Sequence, residues 1–258
     1  MAIHSYDLLG NIALVKFPEN FKVKDKKKFA ERLLKEQKGT RTVLEKVGKI
    51  KGRLRKISTK LIAGENTKEV LYKENGCVFR FDIDKTYFSP RLSNERKEIS
   101  SLIKKGETVL VMFAGVAPFS IVIAKNSQAK KVYSNEINRE ANKYAELNIK
   151  LNKLKDKIEL IPGDAKKLSE KLKQKFDVIV MPRPQLKETF LEEAFKLSKK
   201  GTRIYYYGFC KEDEIDDMKE IIWNEAKKAR KSIKLLLVKR AGELSPSKIR
   251  LRVDFQII

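Results

Sequence analysis

Cysteine and histidine are scarce in this sequence, with two cysteines and one histidine among 258 residues. Cys77, Cys210 and His4 are too few for a disulfide framework or for the usual zinc sites built from cysteine and histidine. The scarcity argues against a small disulfide-stabilised fold, and it predicts a protein that requires no metal.

Long apolar runs are also missing. No stretch approaches the roughly 18 consecutive apolar residues of a membrane-spanning helix. The N-terminal segment MAIHSYDLLGNIALVKF has neither a basic start nor a small-residue cleavage site. We therefore expect a folded cytoplasmic protein that does not enter the membrane.

Acidic residues are outnumbered, because 34 Asp and Glu face 58 Lys and Arg and give a formal net charge of +24. Basic side chains that contact phosphates release condensed counterions, so a polyanion is the usual partner of such an excess. The charge is concentrated: Phe21 to Lys60 contains 16 Lys and Arg against 4 Asp and Glu, a balance of +12. RNA or DNA is the expected partner, and the alternative is the lysine-rich surface of a heat-tolerant protein.

Strand-length apolar runs alternate with helix-length amphipathic runs from Thr108 onward. The predicted strands are TVLVMFA, KKVYSNEI, KIELIPGD, FDVIVMPRP and RIYYYGF. The predicted helices between them begin at Pro118 or cover REANKYAELNIKLNKL, AKKLSEKLKQK and KETFLEEAFKLSKK, the last stopped by Gly201. Repeated β-α units predict a mainly parallel sheet with helices on both faces. A helix over DEIDDMKEIIWNEAKKARK then precedes SIKLLLVKRAG and KIRLRVDFQII, which predict an antiparallel hairpin at the sheet edge.

The first hundred residues show no repeated parallel unit. The segments NIALVKF, RTVLEKV, GRLRKI and VFRFDI are typical of strands, and KKKFAERLLKEQ is typical of a short basic helix. We place the domain boundary between Lys85 and Ile103. Residues 1–90 are predicted to form a small, basic α+β RNA-binding domain, and residues 91–258 the larger α/β domain.

The loop FAGVAPF, from Phe113 to Phe119, connects a predicted strand to a predicted helix. Gly115 and the alanines keep side-chain bulk away, so backbone N–H groups can approach a ligand closely; the alternative is a structural turn. Glu136 ends the next strand, where a carboxylate can hold both ribose hydroxyls of an adenosine. Because the loop lacks a full GxGxxG and no Walker lysine motif occurs, adenosine is implied, but a dinucleotide or triphosphate is not.

Two further strand ends carry candidate residues. Asp164 follows the third strand in PGD, where it can accept from an adenine amino group or cap the next helix. Pro182, Arg183 and Pro184 follow the fourth strand, at the carboxyl edge where α/β folds bind ligands. We interpret this MPRP segment as part of a target-base pocket, although Pro-x-Pro can also simply end a strand.

The segment YFSPRLSNER, from Tyr87 to Arg96, combines an aromatic pair, two arginines and a glutamate just ahead of the loop. One interpretation is a capped, solvated helix start. The other is a reaction centre, in which a carboxylate removes a proton, cations stabilise the charge that develops, and Tyr87 or Phe88 forms a wall for an extruded base.

The motifs IAGEN (Ile62 to Asn66), YFSPRLSNER, MFAGVAPF, NEIN (Asn135 to Asn138) and MPRP resemble, in this order, those of the archaeal and eukaryotic tRNA guanine-37 N1-methyltransferase family, whose close relatives act in wybutosine synthesis. The resemblance covers most of the chain. It implies a Rossmann-like class I methyltransferase with a mainly parallel seven-stranded sheet ending in an antiparallel hairpin, preceded by a small α+β domain. It also implies S-adenosylmethionine as cofactor and the anticodon stem-loop of tRNA as partner.

The resemblance implies roles for individual residues. Glu95 matches the general base that removes the proton of guanine N1, and Arg91 and Arg96 match arginines of the reaction centre. Arg55, or else Arg53, corresponds to the arginine that steadies guanine O6. The predicted cofactor contacts are Phe88, Arg91, Phe113, Gly115, Glu136, Asp164 and Pro182. The predicted RNA contacts are Lys22, Lys26, Lys27, Lys28, Arg53, Arg96 and Arg183.

The sequence departs from the family pattern in three places. Val111 replaces an acid and Ala117 a glycine in the family's DMFAGVGPF. Pro182 replaces the asparagine of Asn-Leu-Pro, as in an archaeal subgroup whose bifunctional members also methylate C7 of the tricyclic wyosine precursor. The chain starts where the family's second domain usually starts, so we expect the basic segment from Phe21 to Lys60 to carry more of the tRNA binding.

Two alternatives stay open. Val111, Ala117 and the missing asparagine are compatible with a non-catalytic RNA-binding protein that retains a degenerate methyltransferase fold. The aminocarboxypropyl transferase of the wybutosine pathway uses the same cofactor but attacks a different carbon. Arg91 and Glu95 favour methyl transfer, since methylation at N1 needs a base. We expect a monomer.

Overall fold

The structure is a computed structural model that describes residues 6–51, 56–183, 186–245 and 247–258. It divides into two compact units, Met1–Pro90 and Arg91–Ile258. Arg53, Arg55 and Pro184, all named above as candidate residues, lie outside the described residues. No helix in the described ranges is long and apolar enough to cross a membrane.

The first unit contains a four-stranded sheet and a separate two-stranded ribbon. Its elements are β1 (Tyr6–Leu9), β2 (Ile12–Val15), α1 (Val23–Glu36), β3 (Thr42–Lys51), β4 (Lys56–Gly64), β5 (Glu69–Glu74) and β6 (Cys77–Asp82). The sheet order is β1-β2-β3-β4, and only β2 and β3, which α1 connects, run parallel. Ala30 and Leu33 of α1 lie one turn apart and pack on Phe17 and Val43, which gives this unit its own core.

The second unit contains a seven-stranded sheet. Its elements are α2 (Ser93–Ser101), β7 (Thr108–Val111), α3 (Pro118–Asn126), β8 (Lys131–Glu136), α4 (Arg139–Leu151), β9 (Ile158–Pro162), α5 (Leu168–Lys171), β10 (Phe176–Met181), α6 (Leu191–Lys196), β11 (Ser198–Cys210), α7 (Ile215–Lys228), β12 (Ile233–Ser245) and β13 (Lys248–Ile257). The strand order is β12-β13-β11-β10-β7-β8-β9.

Five neighbouring strands of this sheet, from β9 to β11, run parallel, and β13 lies antiparallel between β11 and the edge strand β12. Residues 178 to 181 of β10 are buried on both faces. Such continuous burial is typical of a parallel strand covered by helices on both sides. The predicted fold class, a mainly parallel sheet that ends in an antiparallel hairpin after a small α+β unit, is confirmed.

Two predicted helices are shorter than the sequence pattern indicated. The helix predicted over residues 187–200 covers only Leu191–Lys196, so Gly201 does not end it. Ser198 already pairs with Phe176, and the Thr202 hydroxyl donates to the Phe176 carbonyl oxygen at 2.6 Å, so these residues belong to an irregular start of β11. The helix predicted over residues 165–175 is a 3₁₀ turn, Ala165–Lys167, followed by the four residues of α5.

Candidate active site

The loop after β7 adopts an unusual backbone path. Phe113, Gly115 and Ala117 all have positive φ angles, of 57°, 57° and 66°. The loop is anchored at its start, where the Met112 N–H donates to the Val180 carbonyl oxygen and the Ala114 N–H to that of Asn135. Pro118 begins α3 directly after Ala117. This alternation folds the backbone tightly at the carboxyl edge of the sheet, where α/β folds bind ligands.

Glu136 closes over this loop from the end of the neighbouring strand. Its Oε2 accepts from the Gly115 N–H at 2.8 Å, and its Oε1 accepts from the Asn138 N–H at 2.7 Å. An ionised carboxylate offers about four acceptor positions, and hydroxyl groups such as those of a ribose are suitable donors to it. The structure thus brings together Gly115 and Glu136, the two residues that the strand-end pattern paired, with acceptor oxygens that suit the hydroxyls of an adenosine ribose.

Three asparagines lie around Glu136 and hold it in place. Their side chains were not among the functional residues predicted from the sequence. Asn135 donates to the Ile161 and Gly163 carbonyl oxygens at 2.8 and 3.0 Å, which ties the end of β8 to the loop before Asp164. Asn138 caps α4, and Asn142 donates to the Glu136 carbonyl oxygen at 2.9 Å. The signal that could have found them is their spacing in NEIN and at the start of α4.

Asp164 performs the capping role that was its alternative interpretation, since its side chain accepts from the Lys166 N–H at 3.1 Å. A carboxylate can accept several hydrogen bonds, so the cap and the adenine contact expected from the sequence are compatible. Phe88 belongs to an aromatic cluster of the first unit, where it stacks on Phe81 with 4.7 Å between ring centroids. Arg91 is exposed immediately before α2.

Arg183 differs from the expectation of an RNA contact, because the residue is only 7% exposed. Its Nη2 donates to the Leu186 carbonyl oxygen at 2.6 Å and its Nη1 to the Tyr206 hydroxyl at 3.1 Å, with the guanidinium over the Tyr206 ring. Burial lowers the pKa of Arg183, and the nearby Tyr206 partly offsets this. The guanidinium therefore shapes the segment after β10 from within and does not present a surface contact.

Glu95 lies in the first turn of α2 and is buried in a network of charges. Its Oε2 accepts from the Tyr207 hydroxyl at 2.9 Å and from Arg252 Nη1 at 2.8 Å. Its Oε1 lies 3.0 Å from Lys239 Nζ. The sequence indicated a carboxylate here, but it did not identify these three partners on β11, β12 and β13.

Arg252 is the centre of this network, and its side chain is 0% exposed. It donates to both carboxylate oxygens of Asp254, at 2.8 and 2.9 Å, and to Glu98 at 2.7 Å. Burial by itself lowers the pKa of Arg252, but its bonds to Glu98 and Asp254 outweigh that effect and raise it. Burial raises the pKa of Asp254 to about 6, although Arg252 opposes the shift. Burial, and then the charge of Glu95, raises the pKa of Tyr207 well above its usual value.

Aromatic contacts connect this network to the loop from Phe113 to Phe119, the candidate cofactor loop. The Tyr207 ring lies 5.8 Å from the ring of Phe119, the second residue of α3, and the Arg96 guanidinium lies 5.7 Å from the same ring. Arg96 is 1% exposed, so a direct RNA contact of its side chain, as expected from the sequence, is not supported. Tyr207 and Phe119 therefore connect Glu95 to the loop that Glu136 closes.

Comparison with known proteins identifies the family. Residues 70–236 match the TRM5/TYW2 methyltransferase domain, and residues 2–67 match the TYW2 N-terminal domain. The chain belongs to the TRM5/TYW2 methyltransferase family.

Two relatives within this family align with nearly the whole chain. The tRNA (guanine(37)-N(1))-methyltransferase Trm5b of Pyrococcus abyssi is 36% identical over 254 residues, which are 98% of this chain and 74% of that protein. The tRNA (guanine(37)-N(1))/4-demethylwyosine(37)-methyltransferase Taw22 of Nanoarchaeum equitans is 34% identical over 98% of this chain and 100% of that protein.

Two solved structures of the family share the fold. The crystal structure of Trm5b from Pyrococcus abyssi has a TM-score of 0.88 at 36% identity, covering 99% of this chain and 75% of that one. The complex structure of aTrm5 and tRNALeu has a TM-score of 0.86 at 30% identity, covering 99% and 72%.

The basic residues predicted for RNA binding in this TRM5/TYW2 chain divide into two groups. Lys22, Lys27 and Lys28 are exposed at the start of α1. Lys26 instead pairs with Glu45 at 2.5 Å and lies over the Phe17 ring, so it is engaged within the first unit. Among the described residues, no group of three or more His, Cys, Asp or Glu side chains is arranged to hold a metal ion.

Proposed function

We propose that this protein transfers the methyl group of S-adenosylmethionine to N1 of guanosine 37 in the anticodon loop of tRNA. The observation that carries the proposal is the position of Glu95, a buried carboxylate that is fixed by three donors and connected through Tyr207 and Phe119 to the cofactor loop. A relative of 36% identity is named for this reaction.

The chemistry requires a base because guanine N1 carries a proton at neutral pH and is a poor nucleophile until the proton leaves. Glu95 takes that proton, and the electron pair left on N1 forms the bond to the methyl carbon. The electrons of the broken carbon–sulfur bond stay on sulfur, which changes from a sulfonium to a neutral thioether. Such in-line transfer needs little covalent help, so positioning supplies most of the acceleration, and a well-placed base contributes about a hundredfold or more.

The cofactor-binding residues are proposed from the edge formed by β7 to β10. S-adenosylmethionine supplies the electrophilic methyl group when it is bound. Glu136 holds the ribose hydroxyls, the backbone of Phe113 and Gly115 approaches the nucleoside, and Asp164 accepts from the adenine amino group. Pro182, at the end of β10, contributes to the pocket for the target base.

The tRNA contact is proposed to include the exposed lysines at the start of α1, in the small basic domain of residues 1–90. Phosphate contacts by such lysines supply affinity without reading sequence. Arg55, or else Arg53, is proposed to stand near guanine O6, as the family resemblance implies. The complex structure of aTrm5 and tRNALeu, a chain 30% identical to this one, supports tRNA as the partner.

A second methylation is the other candidate function, at C7 of the tricyclic 4-demethylwyosine. The relative from Nanoarchaeum equitans carries both activities in its name, and this chain aligns with 100% of it. Pro182, where the wider family has asparagine, favours the same assignment. The proposal further includes a monomeric, cytoplasmic enzyme without a metal requirement, and sedimentation and chelation experiments would test the monomer and the metal independence.

Mass spectrometry of tRNA nucleosides tests the proposal. Unmodified tRNA with guanosine 37 and tRNA carrying 4-demethylwyosine are each incubated with the cofactor and the protein, and the masses of the digested nucleosides are measured. We expect one added methyl group on guanosine 37. Addition of an aminocarboxypropyl group would instead identify the transferase alternative. No modification together with no cofactor binding at millimolar concentration would identify a non-catalytic RNA-binding protein.

A further inference from the structure

The carboxylate of Glu95 is held by a row of donors that crosses three strands. Tyr207 on β11 is the register partner of Arg252 on β13, and Arg252 is the register partner of Lys239 on β12. Directly opposite residues of antiparallel strands point to the same face. The three side chains therefore form one row under α2, and Glu95 receives a bond from each of them.

The two oxygens of Glu95 are not equivalent in this row. Oε2 accepts from both Tyr207 and Arg252, at 2.9 and 2.8 Å, whereas Oε1 has Lys239 as its partner among the described residues, at 3.0 Å. Because a carboxylate oxygen has two lone pairs, Oε2 is saturated and Oε1 retains one acceptor position. We infer that Tyr207 and Arg252 are positioning residues that fix Oε2 of the base, so that Oε1 receives the N1 proton of the guanine. This inference rests on the proposed function.

The surroundings of the three side chains hold the donors to Oε2 of Glu95 rigidly and leave the donor to Oε1 more freedom. Arg252 is fully buried and is itself fixed by Asp254 and Glu98. The Lys239 side chain is 30% exposed and has a second partner in Glu98 at 2.5 Å, so it can move from Oε1 toward Glu98 as the proton arrives. In the described part of the chain, the charged and titratable groups that face Glu95 from α2 and the three strands are Glu98, Tyr207, Lys239, Arg252 and Asp254.

Tyr207→Phe tests the inference, because it removes one donor to Oε2 and keeps the ring that packs on Phe119. The matched control is Tyr205→Phe, on the same strand and face, whose hydroxyl accepts from Arg203 at 3.1 Å. We expect Tyr207→Phe to lower the single-turnover rate about tenfold, since a bond to a charged group is removed. The KM for tRNA and the cofactor affinity should stay within about twofold of the wild-type values. Tyr205→Phe should keep the wild-type rate.

Two readouts separate positioning from a packing defect. The deficit of Tyr207→Phe should lie in the rate at saturating tRNA and cofactor and not in the KM for either. In a Glu95→Gln background, Tyr207→Phe should cause no further loss, since residues that act as a unit are not additive.

A deficit that lies in KM alone, or that multiplies with Glu95→Gln, would overturn the positioning role, and so would a rate equal to that of the Tyr205→Phe control. These outcomes differ from failure of the proposed function, which would appear as no methylation of guanosine 37 by the wild-type protein and would remove the inference with it.

Discussion

Replacing Glu95 by glutamine separates the chemistry of the site from its binding functions. Glutamine keeps the size of glutamate and an acceptor oxygen for Tyr207 and Arg252, but it cannot take a proton. We expect the single-turnover methylation rate to fall about a hundredfold or more, equivalent to about 2.7 kcal/mol of transition-state stabilisation. Cofactor and tRNA affinities should stay within a few-fold, because Glu136 and the basic residues are unchanged.

The structure also sets the stability change of this variant. The introduced amide group would meet Lys239 where Oε1 of Glu95 now does, and Arg252 would lose one of three carboxylate partners while keeping Asp254 and Glu98. Loss of a buried pair with one charge stranded destabilises by about 3–5 kcal/mol. Because Arg252 retains two carboxylates, we expect the lower value of one missing charged hydrogen bond, about 1.5–3 kcal/mol.

Glu98→Gln is the matched control for Glu95→Gln. Glu98 contacts the same two cations, Arg252 at 2.7 Å and Lys239 at 2.5 Å, but its side chain is more exposed, at 38%. Both variants should unfold at lower temperature than the wild type, and Glu95→Gln should lose far more of the rate, because Glu98 acts on the base only through Arg252 and Lys239. Raising the pH should partly rescue Glu95→Gln, as solvent begins to remove the N1 proton. Near-wild-type rates in Glu95→Gln, or an equal loss in Glu98→Gln, would refute the assignment of Glu95 as the base.

Three further predictions concern the cofactor, the RNA and the buried network. Glu136→Ala should weaken cofactor binding at least about tenfold by calorimetry, because a hydrogen bond from ribose hydroxyls to a charged carboxylate contributes about 1.5–3 kcal/mol. Glu146→Ala, on the exposed face of α4, is the control. An unchanged affinity in Glu136→Ala would remove Glu136 from the site. Replacing Lys22, Lys27 and Lys28 by glutamine should weaken tRNA binding and reduce the slope of log K against log salt by about one for each phosphate that is no longer neutralised. The same change at Lys104, Lys105 and Lys130 is the control and should leave the affinity and the slope unchanged. An equal slope in both triple variants would contradict an RNA-binding role for α1. Burial raises the pKa of Asp254 from 3.8 to about 6, so between these pH values the folded chain holds a proton that the unfolded chain releases. The contribution of Asp254 to the free energy of unfolding is therefore fully present below pH 3.8 and disappears as the pH rises through about 6. Asp254→Asn should remove that dependence in urea titrations at several pH values, and an unchanged pH profile would contradict the prediction.

The larger domain was predictable because its central strands are buried on both faces. β7 and β10 are continuous apolar runs with helix-length segments between them, and that pattern has few alternative interpretations. β5 was not predicted, since Val70 is the only buried residue of this strand and a single buried position shows no alternation. The start of β11 was predicted as part of a helix, because Ser198 to Thr202 lies in a register irregularity that sequence periodicity does not record.

The pairing of Gly115 with Glu136 was predictable from a rule of topology, because the carboxyl ends of neighbouring parallel strands meet at one edge. The partners of Glu95 were not, since Arg252 is 157 residues away and reaches it only through the strand order of the antiparallel end of the sheet. Polar residues alternate with apolar ones in IRLRVDFQI, and such alternation is typical of a strand with one solvated face. Charges at buried strand positions are paired, but the alternation does not show that Arg252 and Asp254 are buried, as they are in the structure.

The site uses two parts of one sheet for two requirements. The parallel strands β7 and β8 end in the loop and the carboxylate proposed for the cofactor, whereas the antiparallel end, β11, β13 and β12, carries the donors that fix the base. Glu136 accepts from backbone N–H groups at its own strand edge, whereas Glu95 accepts from side chains of the antiparallel strands. Energetic effects at sites without shared partners usually add, whereas those within one network do not. The effects of Glu95→Gln and Glu136→Ala should therefore combine additively in single-turnover assays, while those of Glu95→Gln and Tyr207→Phe should not, because Glu95 and Tyr207 share a hydrogen bond.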